Sequence, residues 1–139
     1  MQKAPPHDSS KAQNISRGMA VIRIITGLLM AYHGLEVFSA EKMEMYNGWD
    51  IIKRLPLSNI MVHAGKAGEL ITGILLTLGW FTRITTFFMA AIMFFISFFV
   101  GNGRFWYEDQ HPFLFALMAL VFAVYGPGAW AIDNKISKK

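Results

Sequence analysis

Glu69 stands near the middle of an otherwise almost uncharged run, residues 60–80, about as long as the ~20 residues a helix needs to cross a bilayer. A carboxylate in hydrocarbon costs roughly 2.5 to 3.5 kcal/mol on insertion scales, so an acid placed there marks an ion-pair partner, a proton or a substrate. Lys66 lies one turn earlier, at i−3, close enough to pair with it. Arg23, in an earlier apolar stretch, offers a second cation. Its depth differs from that of Glu69 by about 7 Å at ~1.5 Å per residue, a gap that a guanidinium stem can bridge. An Arg23–Glu69–Lys66 network would compensate each buried charge. Two uses fit the pattern equally: an ion-pair network that registers two helices, or a site where Glu69 exchanges a proton or hydrogen-bonds a polar ligand.

Three histidines, His33, His63 and His111, fall on different apolar stretches but at similar depth, all in the outer half. Imidazoles so placed could relay protons to a quinone oxygen. No tight spacing such as His-x-x-x-His enforces a metal or haem site, and separate interfacial histidines give the same pattern. The candidates are therefore Glu69 and His33 as catalytic groups, with Arg23, Lys66, His63 and His111 around a bound cofactor. No metal ligands are assigned.

The elements that must position these groups follow from composition. Of 139 residues, 54% are hydrophobic and 14% aromatic, too apolar for an ordinary soluble core. Four apolar stretches, 18–38, 60–80, 84–100 and 112–132, each suit one transmembrane helix. The expected fold is all-α: an integral membrane antiparallel four-helix bundle over residues 17–133. Residues 1–16 read as a mobile cytoplasmic tail and 134–139 as a short basic tail. A polar leader, Arg23 within the first stretch and three further spans argue against cleavage as a signal peptide.

The net charge of +4 could point to nucleic acid, but the basic residues sit in short clusters beside the span ends. Lys3, Lys11, Arg17, Arg83, Lys135, Lys138 and Lys139 share one side, which places both termini in the cytoplasm and the lipid bilayer as the first partner. In the first outer loop Met45, Trp49 and Ile52 recur at i, i+4 and i+7, the pattern of a short amphipathic helix ended by Pro56. It could rest on headgroups or cover a cavity. The Trp80–Arg83 connection allows only a tight turn, Pro112 opens the last helix, and Gly126, Pro127 and Gly128 should break it near its inner end. The absence of cysteine excludes disulfides and thiol redox chemistry in this chain. Neither a phosphate loop nor a hydrolytic triad is recognisable.

The order and spacing of several short motifs resemble the DoxX family of small four-helix membrane proteins. They are Arg23 with His33-Gly34, then Gly65-Lys66-Ala67-Gly68-Glu69-Leu70-Ile71-Thr72-Gly73, Gly79 with Thr82-Arg83, His111-Pro112, and the closing Gly126-Pro127-Gly128-Ala129-Trp130-Ala131-Ile132-Asp133. Two departures are Glu36 or Val37 where a lysine is usual, and Ala131 where a serine is usual. The resemblance implies an inner-membrane protein of bacteria, linked to membrane oxidoreductases such as a thiosulfate:quinone oxidoreductase or to assemblies with soluble partners. It also implies that Arg83 and Asp133 are inner-side anchors. The leading expectation is a membrane subunit of an oxidoreductase complex at the quinone level, its polar cluster lining a cavity between the first two spans, with a quinone and a second protein subunit as partners. The alternative is a non-catalytic membrane scaffold or assembly protein that docks a partner through its outer loops. Oligomeric state is left open.

Overall fold

The computed structural model describes residues 6–137. Helix α1, Pro6–Gly34, passes through a 3-10 turn at Leu35–Phe38 into two short helices, α2 at Ala40–Asn47 and α3 at Asp50–Lys53. Then follow α4, Ser58–Leu78, α5, Thr82–Phe95, prolonged by a π turn at Ile96–Val100, α6, Gln110–Tyr125, and α7, Ile132–Ile136. No strand occurs among the described residues.

Three differences from the sequence reading have physical causes. Residues 6–16, expected as a tail, continue α1, because Lys11, Ala12 and Gln13 are good helix formers and the Ser16 carbonyl is tied down by the Ala129 N–H at 3.0 Å. Residues 1–5 lie outside the described residues. Within the basic tail expected at 134–139, residues 134–136 belong to α7, and residues 138–139 lie outside the described residues. In the last apolar stretch, 112–132, the break expected at Gly126, Pro127 and Gly128 is present: α6 stops at Tyr125, and Gly126 has left the helix at φ 83°. The outer amphipathic segment breaks at Gly48 and Trp49, so the i+7 relation fails. Met43 and Ile52, not Met45 and Trp49, are its buried residues, packed with Val62.

Small residues set the packing of α1 on α4. A Cβ on Gly73 would stand 2.8 Å from the Gly27 carbonyl oxygen and collide with the Ala31 backbone. One on Gly34 would collide with the Leu70 backbone. The two helices therefore meet backbone to backbone. Bulk is concentrated between α5 and α6, where Met89, Met93, Ala116, Ala119 and Phe122 join Met30 and Leu76 in the core.

The opposite faces are as apolar as the core: Ile25, Leu28, Phe87, Phe88, Leu117 and Val124 are all exposed. Two stretches, Ser9–Phe38 and Thr82–Val100, are long and apolar enough to cross a membrane. Only 28% and 33% of their apolar windows are buried inside the molecule, which separates them from the core helices of a water-soluble domain.

At the end where α4 turns into α5, here the turn end, Gly79 at φ 65° closes a Schellman motif, with Trp80 N–H donating to Leu75 O at 3.0 Å and Gly79 N–H to Leu76 O at 3.1 Å. Asp133 then caps α5 from 51 residues away in sequence: Phe81 N–H donates to Oδ1 and Thr82 N–H to Oδ2, each at 2.8 Å. Burial pushes the pKa of Asp133 up, but those two N–H groups and the charge of Arg23 outweigh it and hold the carboxyl below its ordinary value. Arg83 is exposed.

Asp133→Ala is accordingly expected to cost about 1–2 kcal/mol, the usual loss on removing an N-cap. Because the folded pKa is depressed, this stabilisation is present above the unfolded value and fades as pH falls through the folded one. Unfolding in mixed micelles across acid pH checks this: the gap between the native chain and Asp133→Ala should close on the acid side.

Candidate functional site

A cavity of about 560 Å³ lies towards the other end of the molecule, here the loop end, which carries α2 and α3. Helix α4 supplies Lys66 and Glu69 on one turn, and the small residues Ala64 and Gly65 beside them leave the space open. From α1 come Met30 and His33, from α6 His111 and Phe115, and from α5 and its π turn Ile92, Met93, Phe95 and Ile96. Tyr46, Trp49 and Ile52, from the α2–α3 segment, form the roof. The walls are largely aliphatic and aromatic, and the polar groups gather on the α1–α4 side.

Glu69 is 3% exposed and its Oε2 accepts from Lys66 Nζ at 2.9 Å. The same ammonium contacts Glu36 Oε2 at 3.0 Å and lies 5.0 Å from the centroid of the Tyr46 ring. Tyr46 Oη in turn donates to Glu36 Oε2 at 2.6 Å. Two carboxylates thus share one ammonium, and when all three are ionised the group keeps one surplus negative charge that a proton would neutralise. The imidazoles stand beside it. The rings of His33 and His111, from different helices, are 4.7 Å apart at 63°, with Phe115 at 4.9 Å from His111.

Four of the six candidates, Glu69, His33, Lys66 and His111, therefore line one cavity, and two do not. Arg23 does not reach Glu69. It is completely buried towards the turn end, where Nη1 donates to Leu76 O at 2.7 Å and Thr77 O at 2.8 Å, Nε to Pro127 O at 2.8 Å, and Nη2 to Ala129 O at 3.4 Å. The end of α4 and the irregular 126–131 segment leave carbonyls without helical partners, and a planar fork satisfies several at once. His63 points away from the cavity: it is exposed, its Nδ1 is 2.8 Å from Asn59 O, and it borders a shallow depression with Asn47 and Asn59. The cavity is bordered by the first two long helices but not enclosed between them, because their backbones touch at Gly34 and Gly73; it extends to α5 and α6.

Glu36 and Tyr46 belong to the cluster and were missed. Glu36 lies three residues after His33, and a 3-10 turn brings it back over Lys66. That i+3 spacing was the available signal. Burial, and then the hydrogen bond to Glu36, push the Tyr46 phenol up to about 12. A raised folded pKa means that this contact stabilises fully below the unfolded phenol value and is lost as pH rises through the folded one. Ultraviolet titration of a variant keeping Tyr46 as its sole tyrosine should show it ionising well above a free phenol; ordinary titration would place the ring in water.

Comparison with known proteins now bears on this arrangement. A family model described as DoxX matches residues 18–102, which include α4 and most of the cavity wall. The chain belongs to the DoxX family. An uncharacterized protein of Haemophilus influenzae is 29% identical over 128 residues, covering 87% of this chain and 92% of that relative. No solved structure matches. Membership of DoxX and the apolar helices together make this a membrane protein in contact with the lipid bilayer.

Proposed function

We propose that this DoxX protein is the membrane subunit of an oxidoreductase complex working at the quinone level. In this reading α1, α4, α5 and α6 all cross the inner membrane of a bacterial cell, antiparallel to their neighbours, with the loop end outside and both termini in the cytoplasm. The observation that carries it is an apolar cavity into which a buried carboxylate, the ammonium paired with it and two imidazoles project from three helices. Its volume falls within the roughly 300–1,000 Å³ of small-molecule sites, whose walls are mostly apolar with a few convergent polar groups.

The donor set fits a quinone: flat hydrophobic walls from Ile92, Met93, Phe95 and Phe115 face hydrogen-bonding groups on the α1–α4 side. A bound quinone supplies a lipid-soluble two-electron, two-proton couple. This chain's own residues bind and handle protons. Lys66 fixes the position of Glu69, Glu69 Oε and the imidazole nitrogens can each hold a proton at the cavity wall, and Trp49 and Ile52 keep bulk water out. The chain has no cysteine, so it cannot itself supply a dithiol electron donor. Exchanging Glu69 for Gln and following quinone reduction in the purified membrane complex tests the reading. Unchanged turnover with normal folding would leave the cluster a helix-registering device and favour the scaffold alternative.

A further inference from the structure

Helices α4 and α5 do not close along their whole length. At Gly68 they touch, because a Cβ there would stand 2.7 Å from Ile92 Cδ1. One turn nearer the loop end, a Cβ on Gly65 would meet nothing within 4 Å. Ala64 and Ala91, one from each helix, both line the cavity and are exposed, and Phe95 lines it from α5 one turn nearer the loop end than Ala91. Ala64 lies six residues into α4, about 9 Å from that helix's loop end at 1.5 Å per residue. At that depth a spanning helix is surrounded by acyl chains.

The loop end, by contrast, is roofed. Met43 and Ile52 are buried against Val62, with Tyr46, Leu55 and Val100 packed around them, and the Tyr46–Glu36 hydrogen bond ties α2 to the end of α1. Towards water the cavity is bordered by large side chains, the partly exposed Trp49 and His111 among them, and towards α5 by the small residues Ala64, Gly65 and Ala91.

We propose that the cavity takes its ligand sideways out of the bilayer, through a portal between α4 and α5 edged by Ala64, Gly65 and Ala91. The ligand class follows: a membrane-dissolved amphiphile whose head reaches Lys66 and Glu69 while its apolar tail stays in the portal beside Phe95. This rests on reading the cavity as an intramembrane ligand site, and it adds the route and the requirement for a tail. A water-soluble solute would have to pass Trp49 and His111; a lipid-dissolved one passes Ala64, Gly65 and Ala91, with Phe95 beside them.

Trp49 lines the cavity and can report entry. The test uses the full chain in lipid nanodiscs with Trp80, Trp106 and Trp130 changed to Phe, and follows quenching of Trp49 by decylubiquinone in stopped flow. Ala91→Phe and Gly65→Leu add bulk at opposite edges of the gap, and circular dichroism and monodispersity verify folding. We expect both to slow quenching about tenfold and to slow its reversal on dilution into ligand-free lipid by a similar factor, as for a blocked route, whereas a site merely weakened by the added bulk would release its ligand faster. Equal rates in all three proteins would overturn the portal, as would equally fast loading of the tailless ubiquinone head group into the plugged variants. A parent in which decylubiquinone leaves Trp49 unquenched would sink the quinone reading. The portal is then judged by phospholipid brominated in its acyl chains: quenching of Trp49 that falls in Ala91→Phe supports it, and quenching that does not fall removes it.

Discussion

Arg23→Met is expected to lower stability by about 3–5 kcal/mol, the largest loss of any single substitution considered, although residue 23 touches no part of the cavity. The guanidinium is 0% exposed, and its hydrogen bonds end on carbonyls of α4 and of the 126–131 segment. Methionine fills much of the volume but leaves those oxygens facing an apolar interior, at about 1–3 kcal/mol for each buried group left unmade. Arg23→Lys should recover only part of the loss, since one ammonium cannot reproduce a planar fork reaching both segments. Unfolding by added sodium dodecyl sulfate in mixed micelles, followed by circular dichroism, measures this. A methionine variant as resistant as the native chain would show that those carbonyls find other partners.

Glu69→Gln is expected to act oppositely, removing activity and sparing the fold. The amide keeps the shape and can still accept from Lys66, and Glu36 at 3.0 Å keeps that ammonium paired. What disappears is the group that can take up and give back a proton at the cavity wall. Positioned acid–base groups contribute about 10² to 10⁴-fold, so quinone reduction by the complex should fall about a hundredfold or more. Purified complex assayed beside its unfolding curve separates the two effects. Loss of stability with full turnover would assign Glu69 to helix registration.

The Glu69–Lys66 pair was legible because i−3 spacing on a helix fixes both neighbours whatever the tertiary fold. Arg23 was legible as a buried cation but not in its partner. Sequence displays carboxylates and hides backbone acceptors, and the oxygens that claim Arg23 become available only where α4 ends and 126–131 turns irregular. Helical phase gave one sign that His63 stands apart. Six residues before Glu69, it is turned about 120° from it at ~100° per residue, off the face that bears the acid. The small residues of α4 announced a close helix neighbour but not which of them meets which helix. Gly73 lies against α1, Gly68 against Ile92 of α5, and Gly65 against open space. The cavity therefore extends from the α1 side of α4 round to α5 and α6. Glu36 was hidden by a register that only the 3-10 turn after Gly34 establishes.

That the polar wall of this cavity holds a quinone can be tested by native mass spectrometry of the protein extracted gently from its membrane. A quinone of one mass, retained by the native chain and lost from a Lys66→Met variant shown to be folded, is the expected result. Particles that carry no quinone, or carry it equally in both proteins, would contradict the assignment of the Lys66–Glu69 wall as its binding site.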